Sequence, residues 1–115
     1  MLLSVDPQSS QPLHDQLAGQ LRHAIGEGDP GPGTKLPPAR ELADSLGVNM
    51  HTVLRAYKAL QDEGLLEVRR GRGTLVTDQA PSRVNVVSIA REFVLEARRQ
   101  GLADSGIRQL VETQL

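Results

Sequence analysis

The sequence of 115 residues contains no cysteine and only two aromatic residues, Tyr57 and Phe93. Without cysteine, neither a disulfide framework nor thiolate catalysis is available. No apolar run approaches the roughly 20 residues that a transmembrane helix needs. The first residues, MLLSVDPQSSQ, lack the basic start and apolar stretch of a secretory signal. We therefore expect a cytoplasmic protein with a modest core of Leu, Val, Ile and Ala.

Catalytic and metal-binding patterns are also missing. None of the histidines, His14, His23 and His51, has an acidic residue or cysteine at a recognised metal-ligand spacing. The glycine-rich stretch GEGDPGPG lacks the Lys-Ser/Thr pair that a phosphate-binding loop requires. The sequence thus predicts a protein that is not an enzyme and holds no metal or cofactor. Metal sensing by His14 and His23 is the weaker alternative.

Charge is unevenly distributed, although the formal net charge is only −1. Residues 1–34 carry one basic side chain against four acidic ones, a balance of −3. Residues 35–77 carry seven basic side chains against five acidic ones, a balance of +2. Basic side chains gathered in one stretch favour a polyanionic partner there.

The first three segments have the pattern of amphipathic helices. Apolar residues recur at helical spacing between Gln11 and Glu27, and again from about Pro38 to Leu46. Gly47 suits the left-handed end of a helix and Asn49 the N-cap of the next one. That next helix ends at Gly64 and has an apolar stripe formed by Val53, Ala56, Tyr57 and Leu60. The tight spacing between the two helices predicts a helix-turn-helix.

After Gly64 the period changes. The stretch Leu65–Thr77 predicts two short strands around the glycine-containing turn RRGRG. Residues 78–83 are expected to form a linker, followed by an amphipathic helix and a short last helix with Ile107, Leu110 and Val111 inward. The predicted fold is mainly α with a small β hairpin, in domains of residues 1–78 and 79–115.

The helix after the turn exposes polar and basic side chains opposite its apolar stripe. Asn49, His51 and Thr52 lie in its first turn, where a recognition helix meets base edges in the major groove. Arg55 and Lys58 lie further along and suit backbone phosphates. An ordinary solvated face is the alternative for such a helix taken alone.

The hairpin turn crowds three arginines, Arg69, Arg70 and Arg72, beside Gly71 and Gly73. Gathering like charges costs repulsion without an evident gain in folding, whereas the negative potential of a narrow minor groove would reward it. The glycines allow the backbone to approach a phosphate or the groove floor closely. The alternative is a turn that needs glycine and carries soluble arginines.

Two further basic residues precede the turn between the helices. Arg40 could contact DNA beside the recognition helix, or form a surface ion pair with Asp44. Lys35 lies just upstream and could contact the same strand. The predicted DNA-binding residues are therefore Lys35, Arg40, Asn49, His51, Thr52, Arg55, Lys58, Arg70, Gly71, Arg72 and Gly73.

From about Pro12 to Val76 the chain resembles the winged helix-turn-helix domain of GntR-family bacterial transcription regulators. The shared motifs are PGTKLP, RELA, LGV, TV..AY..L, EGL and GRGT. The pattern VN.HTV.RAY, together with a short tail, is most similar to the YtrA-like subfamily. The resemblance implies that Arg40, the start of the recognition helix and the GRG tip of the hairpin contact DNA. The chain departs from the family at Pro38, where a capping Ser is usual, and at Met50 and Leu54, where many members carry arginine.

The C-terminal region carries an apolar stripe that is too large to leave in water, which predicts a homodimer through residues 83–115. The predicted dimer residues are Val86, Ile89, Ala90, Phe93, Val94, Ala97, Leu110 and Val111. Folding back onto the helix of residues 11–27 is the alternative. The resemblance also implies a dimer, since YtrA-like proteins use two C-terminal helices to dimerise.

These features together predict a dimeric transcription regulator that binds an inverted repeat in double-stranded DNA. Repression follows from the resemblance and from simple occlusion of a promoter. A winged helix that binds another protein instead of DNA is the alternative. Neither an operator sequence nor a small-molecule effector follows from the residues.

Overall fold

The computed structural model describes residues 2–115, which form five helices and one two-stranded antiparallel sheet. The helices are α1 (Leu13–Gly26), α2 (Ala39–Leu46), α3 (Met50–Asp62), α4 (Ala80–Arg99) and α5 (Asp104–Gln114). The strands are β1 (Leu66–Arg69) and β2 (Gly73–Val76). The chain divides into two compact units, one ending at Val84 and one beginning at Asn85. The predicted fold class is confirmed.

The core of the first unit lies where α3 packs against both α1 and α2. Six of its fully buried aliphatic side chains come from the stripes that helical spacing places on one face of α1 and of α3: Leu17, Leu21, Ile25, Val53, Ala56 and Leu60. A partly buried ion pair adds to this packing, because Arg22 of α1 donates two hydrogen bonds of 2.7 and 2.8 Å to the carboxylate of Glu63. The pair links α1 to the C-cap residue of α3.

The turn between α2 and α3 forms as its residues predict. Gly47 adopts a left-handed conformation with φ of 70°, which a side chain would disfavour. Asn49 caps α3, because its side-chain oxygen accepts a 2.7 Å hydrogen bond from the backbone N–H of His51. At the start of α2, Pro38 provides no side-chain cap, as its replacement of serine implies.

The hairpin pairs β1 and β2 in a register that sets Leu66 opposite Val76 and Arg69 opposite Gly73. A further segment lies along the other edge of β2. Leu36 donates to the carbonyl of Thr74 over 2.8 Å, and Val76 donates to the carbonyl of Thr34 over 3.0 Å. The hairpin, which we call the wing (Leu66–Val76), is therefore flanked by residues 33–36. The sequence did not predict this pairing.

The linker expected at residues 78–83 is wrong, because α4 already begins at Ala80. Ala80 is fully buried in the core of the first unit, and Pro81 occupies the first helical turn, where its missing N–H is tolerated. The predicted domain boundary after residue 78 lies just before α4, whereas the two compact units separate at Val84 within that helix.

In the second unit, α4 turns into α5 at Gly101, whose φ of 87° favours glycine. Ala97 and Ile107 are buried, and Phe93 and Val94 are half-buried. The expectation that Leu110 and Val111 point inward is wrong for the single chain. They are 42% and 47% exposed. The unit consists of residues 85–115, and its buried apolar side chains are Val87, Ala97 and Ile107.

Candidate nucleic-acid interface

The outer face of α3 is built by the same periodicity that buries its inner stripe. With Val53 and Leu60 fully buried, His51, Arg55 and Lys58 are exposed, and Thr52 is half-buried. A side chain at the start of α3 therefore reaches solvent from a helix held by the core. That rigidity suits the reading of base edges, which needs side chains held in fixed positions.

Asn49 has a structural role at the start of this face. Its cap bond to the His51 amide fixes the side-chain oxygen against the helix end, while the residue itself stays exposed. A bidentate contact with adenine would use the same oxygen together with the amide nitrogen. The predicted base contact of Asn49 therefore has to share an oxygen with the cap, and it stays a prediction.

The two basic side chains of α3 differ in their surroundings. Lys58 forms an ion pair of 2.6 Å with Asp62, four residues on, and both side chains are largely exposed. An exposed pair of this kind stabilises by at most about 1 kcal/mol, so a phosphate can displace the carboxylate. Arg55 has no acidic partner within 4.0 Å among residues 2–115.

The tip of the wing presents two arginines without acidic partners. Arg69 is paired with Glu67 over 2.9 Å. Arg70 and Arg72 are exposed, and neither forms an ion pair within the described part of the chain. The turn closes through the backbone of Arg72, which donates to the Arg69 carbonyl over 2.9 Å. Gly71 at the tip has φ of 79°, so the turn holds the arginines outward without a bulky residue between them.

Lys35 belongs with the wing and not with α2. Its backbone pairs with Leu75 of β2, and its side chain crosses Gly73 so closely that a Cβ there would lie 3.0 Å from Lys35 Cε. The glycine therefore makes room for the lysine stem at the base of the wing. The structure thus brings Lys35 near the predicted wing residues, although 38 positions separate it from Gly73.

Arg40 lies exposed in the first turn of α2. The surface ion pair with Asp44 that the sequence offered as an alternative is absent from residues 2–115. Arg40 therefore remains available to a phosphate.

An open groove of about 450 Å³ runs along the outer face of α3 and is bordered by the first turn of α1. His14 and Asp15 line it on the α1 side, with 3.3 Å between Nε2 of His14 and Oδ1 of Asp15. His51, Arg55 and Lys58 line it on the α3 side. The sequence did not place His14 and Asp15 here, because spacing within one helix carries no information about which helix faces it.

Tyr57 lies at the inner side of α3 and is only 5% exposed. Its hydroxyl donates a 2.7 Å hydrogen bond to the carbonyl of Pro37, just before α2. Burial, with a smaller contribution from the carboxylate of Glu41, raises the pKa of Tyr57 to about 12. The phenol therefore stays protonated and remains a donor at any physiological pH.

Residues 2–115 contain no group of three His, Asp or Glu side chains arranged to hold a metal ion. No helix in the described range combines the length and the apolar content needed to cross a bilayer.

Comparison with known proteins gives consistent matches. The family profile described as "Bacterial regulatory proteins, gntR family" matches residues 13–76. The HTH-type transcriptional repressor YtrA of Bacillus subtilis is 36% identical over 104 residues, which are 90% of this chain and 78% of that protein. These matches are to regulators, which confirms the predicted resemblance and the prediction that the chain is not an enzyme.

Two solved structures support the same assignment. YtrA from Sulfolobus acidocaldarius, a GntR-family transcription factor, superposes with a TM-score of 0.65 at 34% identity, over 96% of this chain and 94% of that one. AraR(DBD) in complex with operator ORX1 superposes with a TM-score of 0.58 at 32% identity, over 67% of this chain and 95% of that one.

Proposed function

Because the chain belongs to the gntR family of bacterial regulatory proteins, we propose that it is a cytoplasmic transcription regulator that binds an operator in double-stranded DNA as a homodimer. The observation that carries the proposal is the tip of the wing, where Arg70 and Arg72 are exposed and have no acidic partner in the described chain. Clustered arginines without acidic partners do not stabilise a folded domain, whereas the negative potential of a DNA duplex attracts them.

In the proposed complex, the first turn of α3 enters the major groove. His51 and Thr52 then reach base edges, and Arg55 and Lys58 contact phosphates along the groove wall. The wing brings Arg70 and Arg72 to the adjacent minor groove, and Lys35 and Arg40 contact the backbone. Base contacts from α3 supply specificity, and the basic side chains supply most of the affinity.

The second unit supports the proposal of a homodimer. It carries an apolar groove of about 370 Å³ lined by Phe93, Leu110, Val111, Gln114 and Leu115. Val86 and Ile89 of the predicted dimer stripe are 62% and 67% exposed. Apolar side chains left on one chain gain free energy when a second copy covers them, at roughly 25 cal/mol per Å². A two-fold dimer would carry two recognition helices, and it would therefore read an inverted repeat.

We further propose that the protein acts as a repressor. An operator occupied by the dimer would block access to an overlapping promoter. The name of the Bacillus subtilis relative, a transcriptional repressor, agrees with this direction.

Selection from a pool of random duplexes tests the proposal. We expect enrichment of an inverted repeat whose half-sites lie about 10–10.5 base pairs apart, centre to centre, or a multiple of that spacing. Affinity for the selected duplex should fall linearly with salt on logarithmic axes, while an unselected duplex of equal length binds more weakly. No enrichment, together with an interaction that is insensitive to salt, would instead favour a winged helix that binds protein.

A further inference from the structure

Residues 33–37, which we call the strap, connect the two elements that the proposed function assigns to DNA. Along β2, the strap makes three backbone hydrogen bonds, including one of 2.8 Å from Gly33 to the Val76 carbonyl. Its Lys35 pairs with Leu75. Through these bonds the strap is attached to the wing.

At its other end the strap is attached to the recognition helix. The carbonyl of Pro37 accepts the 2.7 Å hydrogen bond from the hydroxyl of Tyr57. Tyr57 projects from the middle of α3. Leu36, which precedes Pro37 in the strap, is buried in the same core cluster as Tyr57. Pro37 has no backbone N–H and so cannot continue the two-way backbone pairing of the strap with β2, while its carbonyl is bonded by the Tyr57 hydroxyl.

We propose that Tyr57 is a positioning residue for DNA binding, whose hydroxyl holds the strap, and through it the wing, at a fixed distance from the recognition helix. The inference rests on the proposed function. The aromatic ring alone would fill the core. The hydroxyl adds a directional contact to the segment that carries Lys35, and this contact determines where the wing lies when α3 enters the major groove.

The test is a double-mutant cycle that joins Tyr57→Phe with the wing variant Arg70→Ala/Arg72→Ala. Tyr57→Phe keeps the ring and removes only the donor. In the background of the intact wing, we expect affinity for the selected operator to fall by about two- to tenfold, the range that one intramolecular hydrogen bond represents. The slope of affinity against salt should become shallower as well, because the displaced wing neutralises fewer phosphates.

In the wing variant, the same Tyr57→Phe change should have a clearly smaller effect on affinity, since Arg70 and Arg72 are gone and Lys35 is the main basic side chain left for the strap to position. Gln16→Ala serves as a control for lost stability. It removes the hydrogen bonds of 2.8–3.0 Å that the side chain makes with Asp6 and Gln11, at a site away from the strap. This control should lower the melting temperature and leave the salt slope unchanged.

Two results would overturn the inference while leaving the proposed function intact. One is a Tyr57→Phe protein that binds the operator as the wild type does. The other is an equal loss of affinity in both backgrounds, which would show a purely structural effect. If the proposed function itself failed, the wild-type protein would select no duplex and the wing variant would change nothing, so the two failures are distinguishable.

Discussion

Removal of the two unpaired arginines from the wing, Arg70→Ala together with Arg72→Ala, should separate DNA binding from folding. Both side chains are exposed and have no acidic partner within 4.0 Å in residues 2–115. The bond that closes the turn comes from the backbone of Arg72 and survives truncation. The free energy of unfolding should therefore stay within about 0.5 kcal/mol of the wild-type value.

The loss of affinity follows from the number of charges removed. Each phosphate contact contributes about 0.9 to the slope of log affinity against log salt, so two contacts contribute about 1.8. At an ionic strength of about 0.15 M, release of that many counterions is worth about 2 kcal/mol, or a thirtyfold change in Kd. We expect the double variant to show both the shallower slope and a loss of this size.

Fluorescence anisotropy with a labelled operator, at several salt concentrations, measures both quantities. Arg98→Ala with Arg99→Ala is the matched control, because it removes the same two charges from the last turn of α4, where each arginine is paired with an acid. An unchanged affinity in the wing variant would refute the role of the wing. Equal losses in both double variants would show that only total charge matters.

Three other changes test the remaining assignments. Phe93→Glu places a charge in the apolar groove of the second unit, so sedimentation should show monomers with helical circular dichroism retained and operator binding lost. The exposed neighbour Arg91→Glu should stay dimeric, and a dimer that survives Phe93→Glu would contradict the proposed seam. Asn49→Ala removes the cap of α3 and should cost about 1 kcal/mol by urea unfolding. Asn49→Ser restores the cap. If its operator affinity stays as low as that of Asn49→Ala, Asn49 contacts a base; if its operator affinity returns to the wild-type value, Asn49 acts only as the cap. The raised pKa of Tyr57 predicts alkaline destabilisation. From pH 10 to about 12 the phenol is ionised in the unfolded chain and keeps its proton in the folded one. The contribution of Tyr57 to the free energy of unfolding is therefore fully present below pH 10 and falls by about 2–3 kcal/mol across this window. Tyr57→Phe should lack this part of the loss, and identical alkaline curves for the two proteins would contradict the assigned pKa.

The local elements were predictable because their signals are local. The stripe of Val53, Ala56 and Leu60 recurs at helical spacing, and Gly47 and Asn49 end one helix and cap the next. The same reasoning failed at residues 78–83, whose polar and proline content resembles a linker. Ala80 is buried there against the core, and a tertiary contact of that kind leaves no periodic signal in so short a stretch.

The candidate site was predictable in its residue types and not in its assembly. Exposed basic and polar residues in the first turn of α3 and in the RRGRG turn could be found from charge and spacing alone. The pairing of Lys35 with Leu75 joins positions 40 residues apart, and the groove places His14 beside the recognition helix. Such long-range placements depend on how the elements pack, which no short window of the sequence encodes.

The distribution of ion pairs explains how a chain with a net charge of −1 can present a basic surface. Of the five acidic residues between positions 35 and 77, three are paired: Asp62 with Lys58, Glu67 with Arg69, and Glu63 with Arg22 of α1. Glu41 and Asp44 remain, both on α2. Against them stand five basic side chains with no acidic partner in the described chain: Lys35, Arg40, Arg55, Arg70 and Arg72.

The Arg22–Glu63 pair contributes most to this imbalance. It neutralises a carboxylate of the basic stretch with an arginine from the acidic stretch of residues 1–34, and the pair is partly buried. Among the residues of 35–77 that have no ion-pair partner, five are basic and two are acidic. Their net charge is therefore more positive than the formal +2 of the whole stretch. Because exposed charges more than about 8–10 Å apart are screened at physiological salt, a duplex responds to these nearby side chains and not to the net charge of the whole chain. The packing of α1 against α3 therefore shapes the electrostatics of the proposed DNA-binding surface as well as its stability.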